Sequence, residues 1–276
     1  MRDVRDVRDV GSYLYAVCRG LAEADLDAVR GFADRRVRVV DHAGLSAVVS
    51  DVDLDEFGDE AIREHLEDLR WLEDVARTHD AVVFAASAAA PTAPLRLATI
   101  CLDDDGVRAR LEQWHGPLVR TLEHISDRRE WSVKAYLEGG RVTEEPTVHD
   151  TSDHDTSDET ASTARASVGS GADYLRRRKL EATAREQERV SGGLVADRVH
   201  AEISARAVDG RRLALQDPRL SGHRGVMILN GAYLVDEETT STFQEAVSAV
   251  GRAHPSATIE VDGPWPAYSF VSLEDA

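Results

Sequence analysis

Val37-Arg38-Val39-Val40-Asp41-His42-Ala43-Gly44-Leu45-Ser46-Ala47-Val48-Val49-Ser50 is the stretch on which the fold turns. Residues 37–41 and 45–50 are two runs rich in β-branched side chains, and Ala43-Gly44 between them signals a tight turn. The pattern predicts two antiparallel strands. Ahead of them, residues 12–18 alternate and are rich in Tyr, Leu and Val, which predicts another strand. Residues 22–34 lie between, with Leu26, Val29 and Phe32 on one side of an expected helix. Behind the hairpin, Ile62, Leu66, Leu69, Leu72, Val75 and Ala76 give the stripe of a long amphipathic helix over 59–80. Residues 81–85 read as a buried strand. A loop of small residues at 87–94 leads into a strand at 95–102. Asp103-Asp104-Asp105 caps a helix at 104–125, where acids suit the positive pole. A strand at 130–137 closes the unit, with Trp131 and Val133 facing the core and Glu130 and Lys134 the other side.

A strand, a helix and two paired strands resemble half of a ferredoxin-like unit. The composition then changes. Between 138 and 170, Thr, Ser, Asp, Glu and Gly dominate, and valine is the only larger aliphatic type. Such a segment buries too little apolar area to offset its ordering, so a disordered acidic linker is expected. Helix resumes over 171–204, with Gly192-Gly193 as a kink or break. Strands at 211–215 and 224–235, a helix at 240–253 and a strand at 258–261 follow. The expected fold class is α+β: two domains with ferredoxin-like elements in each, joined by the linker and a long helix. The expected boundaries are a disordered tail at 1–11, an N-terminal α+β domain at 12–138, the linker at 139–170, and a C-terminal helical and α+β domain at 171–276.

Charge narrows the partners. Asp and Glu total 51 against 33 Lys and Arg, a net −18, and only Lys134 and Lys179 are lysine. At about 1 M salt the Debye length is only about 3 Å, so self-repulsion is screened. Acidic side chains also keep a protein soluble. The expectation is a halophile's cytosolic protein. The same charge argues against nucleic acid, which needs cations clustered on one face. The one dense basic run, Arg176-Arg177-Arg178-Lys179, has Glu181, Glu186 and Glu188 on the same predicted helix. It reads as a salt-bridged solvated face or as a docking stripe for an acidic partner. No apolar run reaches the length of a membrane span. The three Arg-Asp-Val copies at the N-terminus lack the apolar core of a signal peptide, so a cytoplasmic location is expected.

Catalytic signatures are missing from the sequence. There is no Gly-x-Ser-x-Gly, phosphate-cradling Gly-x-x-x-x-Gly-Lys-Ser/Thr, Gly-x-Gly-x-x-Gly or His-Glu-x-x-His. Cys18 and Cys101 sit in apolar strand contexts and read as small buried hydrophobes in a reducing compartment. His149-Asp150 and Asp153-His154-Asp155 have metal-ligand chemistry but lie in the linker, without fixed geometry, so no metal is expected. His79 is placed at a helix end, where an imidazolium suits the negative pole. Arg96 stands on an otherwise apolar strand, and a buried arginine must be paired. Glu73 and Glu130 are its candidate partners in a structural ion pair. The expectation is a non-enzyme with no cofactor. The alternative is a small-molecule sensor or minor enzyme with an anion pocket lined by Arg96 and His79.

The last informative segment is Gly263-Pro264-Trp265-Pro266-Ala267-Tyr268-Ser269-Phe270. Each proline fixes φ near about −65°, and Pro266 biases Trp265 towards extended geometry. Alternation predicts that Tyr268 and Phe270 share one strand face. The segment is either a kinked edge strand capping a core or an aromatic surface presented to a partner.

This segment is one of an ordered set. The others are Tyr13-Leu14-Tyr15-Ala16-Val17, Trp71-Leu72-Glu73 with His79, Pro94-Leu95-Arg96-Leu97-Ala98-Thr99, Glu130-Trp131-Ser132-Val133-Lys134 and Leu229-Asn230-Gly231-Ala232-Tyr233-Leu234-Val235. Together they resemble the gas vesicle accessory proteins of the GvpF/GvpL family, over most of 12–138 and 171–271. Leu97-Ala98 stands where the family pattern has Phe-Gly, and Ala267 where it has a second proline. The inserted linker and the acidity place the chain nearest the longer, haloarchaeal GvpL-like branch. The resemblance implies a binding role: a cytoplasmic, vesicle-associated scaffold. It would hold the hydrophobic, β-rich shell protein, an aggregation hazard before assembly, and/or other accessory proteins during vesicle nucleation. Candidate contact residues are Trp265, Tyr268 and Phe270, with Arg176 and Arg177 on the helix.

Overall fold

A computed structural model of the chain describes residues 10–65, 67–137, 170–216, 223 and 225–273. The hairpin forms as the sequence predicts. β2 (Val37–His42) and β3 (Leu45–Asp53) pair antiparallel. Ala43 at φ 48° and Gly44 at φ 79° make the turn. Left-handed backbone at both positions matches the twist of the strands it joins. β3 pairs with β1 (Val10–Cys18), which also pairs with β4 (Thr92–Pro94) and β5 (Ile100–Cys101). The order is β2-β3-β1-β4. Val10 and Gly11, expected in the tail, belong to β1; the rest of the tail lies outside the described residues.

Five expected elements change. Residues 22–34 are not a helix but short turns at Glu23–Leu26 and Phe32–Asp34. Ala33 and Asp34 have φ of 50° and 58°, which a right-handed helix excludes. A side chain at Gly31 would place Cβ 2.5 Å from Ser50 Oγ and 2.6 Å from Tyr15 Oη. The expected helix over 59–80 is divided into α2 (Asp59–His65) and α3 (Leu69–Ala89), and a further turn, α1 (Leu54–Phe57), precedes it. α3 runs through 81–85, the expected strand. Its buried positions, Val75, His79, Val82, Val83 and Ala86, keep helical spacing, and its alanines favour helix. Of the expected strand at 95–102 only β5 survives, while β4 forms within the expected loop; a bend with Ala98 at φ 60° separates the two. The helix at 104–125 is a pair, α4 (Asp104–Gln113) and α5 (His115–Ile125). Asp103 caps it, accepting from Gly106 N at 2.8 Å.

The second sheet has the order β7-β8-β6-β9. Its members are β6 (Arg128–Leu137), β7 (Asp209–Arg212), β8 (Val226–Asp236) and β9 (Ala257–Trp265). β6, which the sequence sets at the end of the first unit, is a central strand here, between β8 and β9. α6 (Ser170–Ser204) precedes β7, and α7 (Thr240–Ala253) lies between β8 and β9. The described elements follow the ferredoxin-like order β-α-β-β-α-β. The first sheet repeats that strand order, with turns in place of the first helix. The expected break at Gly192-Gly193 is absent. A Cβ on Gly192 would lie 2.9 Å from Leu137 Cδ1 and 3.1 Å from Ile228 Cγ2, so this glycine allows close approach of helix to sheet. Of the expected linker, only Ser170 is among the described residues.

Both sheets bury two faces. α1 and α3 cover the outer face of the first sheet, over Tyr13, Tyr15 and Val48. α6 and α7 cover the outer face of the second, over Trp131, Val133 and Tyr233. The inner faces meet on α4 and α5, where Leu14, Val49, Leu111, Leu118, Leu122 and Leu234 form one cluster. Each such side chain contributes roughly 1.5–3 kcal/mol by leaving water.

Candidate functional site

β9 ends at Trp265, and the chain turns back over the first sheet. Tyr268–Phe270 is a helical turn, not the strand that alternation predicts. The three rings therefore do not share a face. Trp265 is 37% exposed, with its ring edge-on to Phe84 of α3 at 5.6 Å. Tyr268 is half-buried, its ring 6.3 Å from that of His79. Phe270 is buried in the shared core beneath the Arg211 guanidinium, 5.1 Å above its ring.

Hydrogen bonds fix this turn to both units. Tyr268 Oη donates to Asp80 Oδ1 at 2.7 Å. Ser269 donates to Glu130 through N and Oγ, each at 2.7 Å. Arg211 Nη1 donates to the Ser269 carbonyl at 2.6 Å. Glu130 is thus a buried carboxylate satisfied from the turn. Burial pushes its pKa up, while the Ser269 donors and the Arg211 charge pull it down. Burial likewise raises the Tyr268 pKa, and its bond to the Asp80 carboxylate adds to the shift.

His79 is not at a helix end. It lies within α3, 1% exposed, beneath this turn. Tyr13 Oη accepts from Ala98 N at 3.0 Å and lies 3.1 Å from His79 Nδ1. The Ala98 amide can only donate, which leaves the Tyr13 hydroxyl hydrogen available to Nδ1; in that arrangement the ring proton is on Nε2. Nε2 has no hydrogen bond of normal geometry, although the nearby Leu95 carbonyl favours the charged ring. Burial dominates and lowers the pKa to about 4, so the ring is neutral near pH 7. Rings of Tyr13, Tyr15, Phe32 and Phe57 form the surrounding cluster.

Arg96 is exposed, so the burial that would require an ion pair is not there. Glu73, also exposed, holds Arg77 at 2.7 Å, and Glu130 is engaged by Ser269. Arg96 borders a cleft of about 290 Å³ with Leu95, Trp114, Tyr268, Val271 and Leu273. His79 lies beneath the surface rather than on the cleft wall, so the two do not form the anion pocket of the alternative reading. Arg176 and Arg177 are exposed on α6.

Cys18 is buried against Thr92 Oγ1 at 3.2 Å, and burial pushes its thiol up to about 12. No group of metal-ligating side chains occurs among the described residues, and no described helix is long and apolar enough to cross a membrane. The His149–Asp155 segment lies outside the described residues. Sequence reasoning missed Asp80, Ser269 and Arg211, whose roles depend on contacts far along the chain. It also missed His200, whose Nδ1 lies 2.8 Å from Tyr233 Oη; only their helical and strand placement hints at that pair.

Two ferredoxin-like sheets on a shared helical layer make a fold similar to that of gas vesicle protein GvpF. The crystal structure of GvpF from Anabaena sp. PCC7120 superposes with a TM-score of 0.64 at 17% identity, covering 96% of this chain and 97% of that one. GvpF from Microcystis aeruginosa gives 0.61 at 16% identity, covering 95% and 99%. The chain belongs to the GvpL/GvpF family: residues 11–272 match the family described as "Gas vesicle synthesis protein GvpL/GvpF". It is 39% identical to gas vesicle protein L of Streptomyces sp. (strain CB03234), over 95% of this chain and 93% of that protein. Identity to gas vesicle protein F of the same strain is 24%, over 95% and 100%.

Proposed function

We propose that this chain is a GvpL-like accessory protein of gas vesicle assembly, acting by binding rather than by catalysis. It holds the hydrophobic shell protein and/or other accessory proteins as a cytoplasmic scaffold during vesicle nucleation. The observation that carries this reading is the near full-length identity to gas vesicle protein L, 39% against 24% for protein F. Its perturbed side chains add support. Buried Tyr13, Tyr15, Cys18 and His79 owe their shifts first to desolvation, and none forms a nucleophile–base pair in an open cleft. Surfaces suited to partners lie elsewhere: Trp265 with Phe84, and the exposed first half of α6, which carries Tyr174, Leu175, Leu180, Arg176 and Arg177.

The test is capture of the tagged chain from vesicle-forming cells in their native salt, with bound proteins identified by mass spectrometry. Enrichment of the shell protein or of other vesicle proteins is the expected result. Recovery of the chain alone overturns the reading.

A further inference from the structure

β9 is an edge strand. Among the described residues it pairs with β6 alone, at the end of the order β7-β8-β6-β9. An edge of this kind offers backbone donors and acceptors to an added strand. Glu260, Val261, Asp262, Pro264 and Trp265 are all exposed. At its far end, Trp265 and Phe84 form an apolar contact open to solvent.

The charges on β9 restrict what can pair there. Glu260 and Asp262 point to one face and Val261 to the other. Two copies pairing antiparallel about Val261 would set Glu260 of one opposite Asp262 of the other. Registers centred on Glu260 or Asp262 set like residues opposite each other. Like charges directly opposite destabilise a strand pair. The edge therefore repels its own copy and favours a strand with cations opposite the two acids and an apolar residue opposite Val261. Glu260 stands opposite Lys134 of β6 in the ladder, lies 3.9 Å from His223 Nε2, and keeps about half of its side chain exposed.

We propose that β9 is a docking edge that accepts an extended protein segment of alternating basic and apolar residues as an additional strand of the second sheet. The proposal rests on the binding role above and names the surface and the partner's chemistry.

The test uses the full chain and three octapeptides: alternating arginine–valine, the same with glutamate for arginine, and the arginine–valine peptide interrupted by a central proline. Hydrogen–deuterium exchange reads the backbone. At ten times its Kd, the arginine–valine peptide is expected to slow exchange within residues 258–263 by about tenfold. Asp262→Arg, at an exposed position, is expected to weaken that peptide about fivefold. The proline peptide keeps the charge but loses the ladder, so it should not protect β9. Equal protection by the proline peptide, protection elsewhere such as on α6, or none at all overturns the proposal. Failure of the cellular capture leaves this result standing and sinks the binding role instead. Peptide inactivity alongside undiminished capture by Asp262→Arg sinks the edge alone.

Discussion

The two sheets share a strand order but differ in what covers them. In the second, two helices lie across the outer face, and polar contacts such as His200 with Tyr233 join helix to sheet within that unit. In the first, α3 shares the work with irregular turns, and the space a helix would fill is taken by rings around a buried imidazole. The first sheet also depends on a segment from the far end of the chain, since Tyr268 reaches Asp80 and packs beside His79. One strand order thus tolerates two covers, one made locally and one completed from a distance.

The largest effect tests whether that dependence couples the units. Phe270→Ala removes a buried ring from the shared layer and should cost about 3–5 kcal/mol. Near-ultraviolet signals from both sheets should shift together in urea. Two separated transitions would show that the sheets unfold independently.

Acid distinguishes the covers next. The folded pKa of His79 is about 4, below its ordinary 6.5, so on acidification the unfolded chain takes up the proton first. The stability due to the neutral ring is complete above pH 6.5 and is lost as pH falls towards 4, by about 1.4 kcal/mol per unit and about 3 kcal/mol in all. Glu130 acts in the opposite sense, because its raised pKa makes the folded state gain protons on acidification. The difference between wild type and His79→Gln in urea midpoints across this range isolates the imidazole. Identical profiles would assign the acid sensitivity elsewhere.

The regular cover can be probed with neighbouring glycines. Gly192→Val forces a methyl group into Leu137 and Ile228 and should cost about 1–3 kcal/mol. Gly193, with open space around it in the same helix, should gain about 0.5–1 kcal/mol as alanine. Thermal melts of the pair give the contrast. Equal effects would mean that α6 does not approach the sheet as described.

The smallest effect concerns Arg96. At an exposed site, Arg96→Ala should change stability by no more than about 0.5 kcal/mol in denaturant titration. A loss of several kcal/mol would show that Arg96 holds a stabilising ion pair.

Local signals were legible where the residues that shape an element are its neighbours. The β2–β3 hairpin, the Asp103 cap and α7 follow from turn chemistry, capping and period. Residues 81–85 misled because a short run of alanine and valine fits a strand or a buried helix equally, and only the continuous spacing from Val75 to Ala86 separates them. Residues 22–34 misled because helical spacing outlasted a backbone that Ala33 and Asp34 turn left-handed. β6 was assigned to the wrong sheet because its partner β8 lies about a hundred residues on, beyond any local pattern. Of the candidate site, Trp265 was legible as an exposed ring. Burial of Phe270 and the grip of Ser269 on Glu130 were not, since both depend on where the chain goes after Pro266.

That path sets an order of events. A nascent chain emerges with β1, the hairpin and α3 first, yet Asp80 and Glu130 receive their partners only when residues 268–269 leave the ribosome, after every strand has been made. Until then the rings around His79 lack part of their covering. Completion of the first-made unit therefore waits for one of the last described segments, and a chain stalled before Tyr268 exposes an aromatic surface for chaperones to hold.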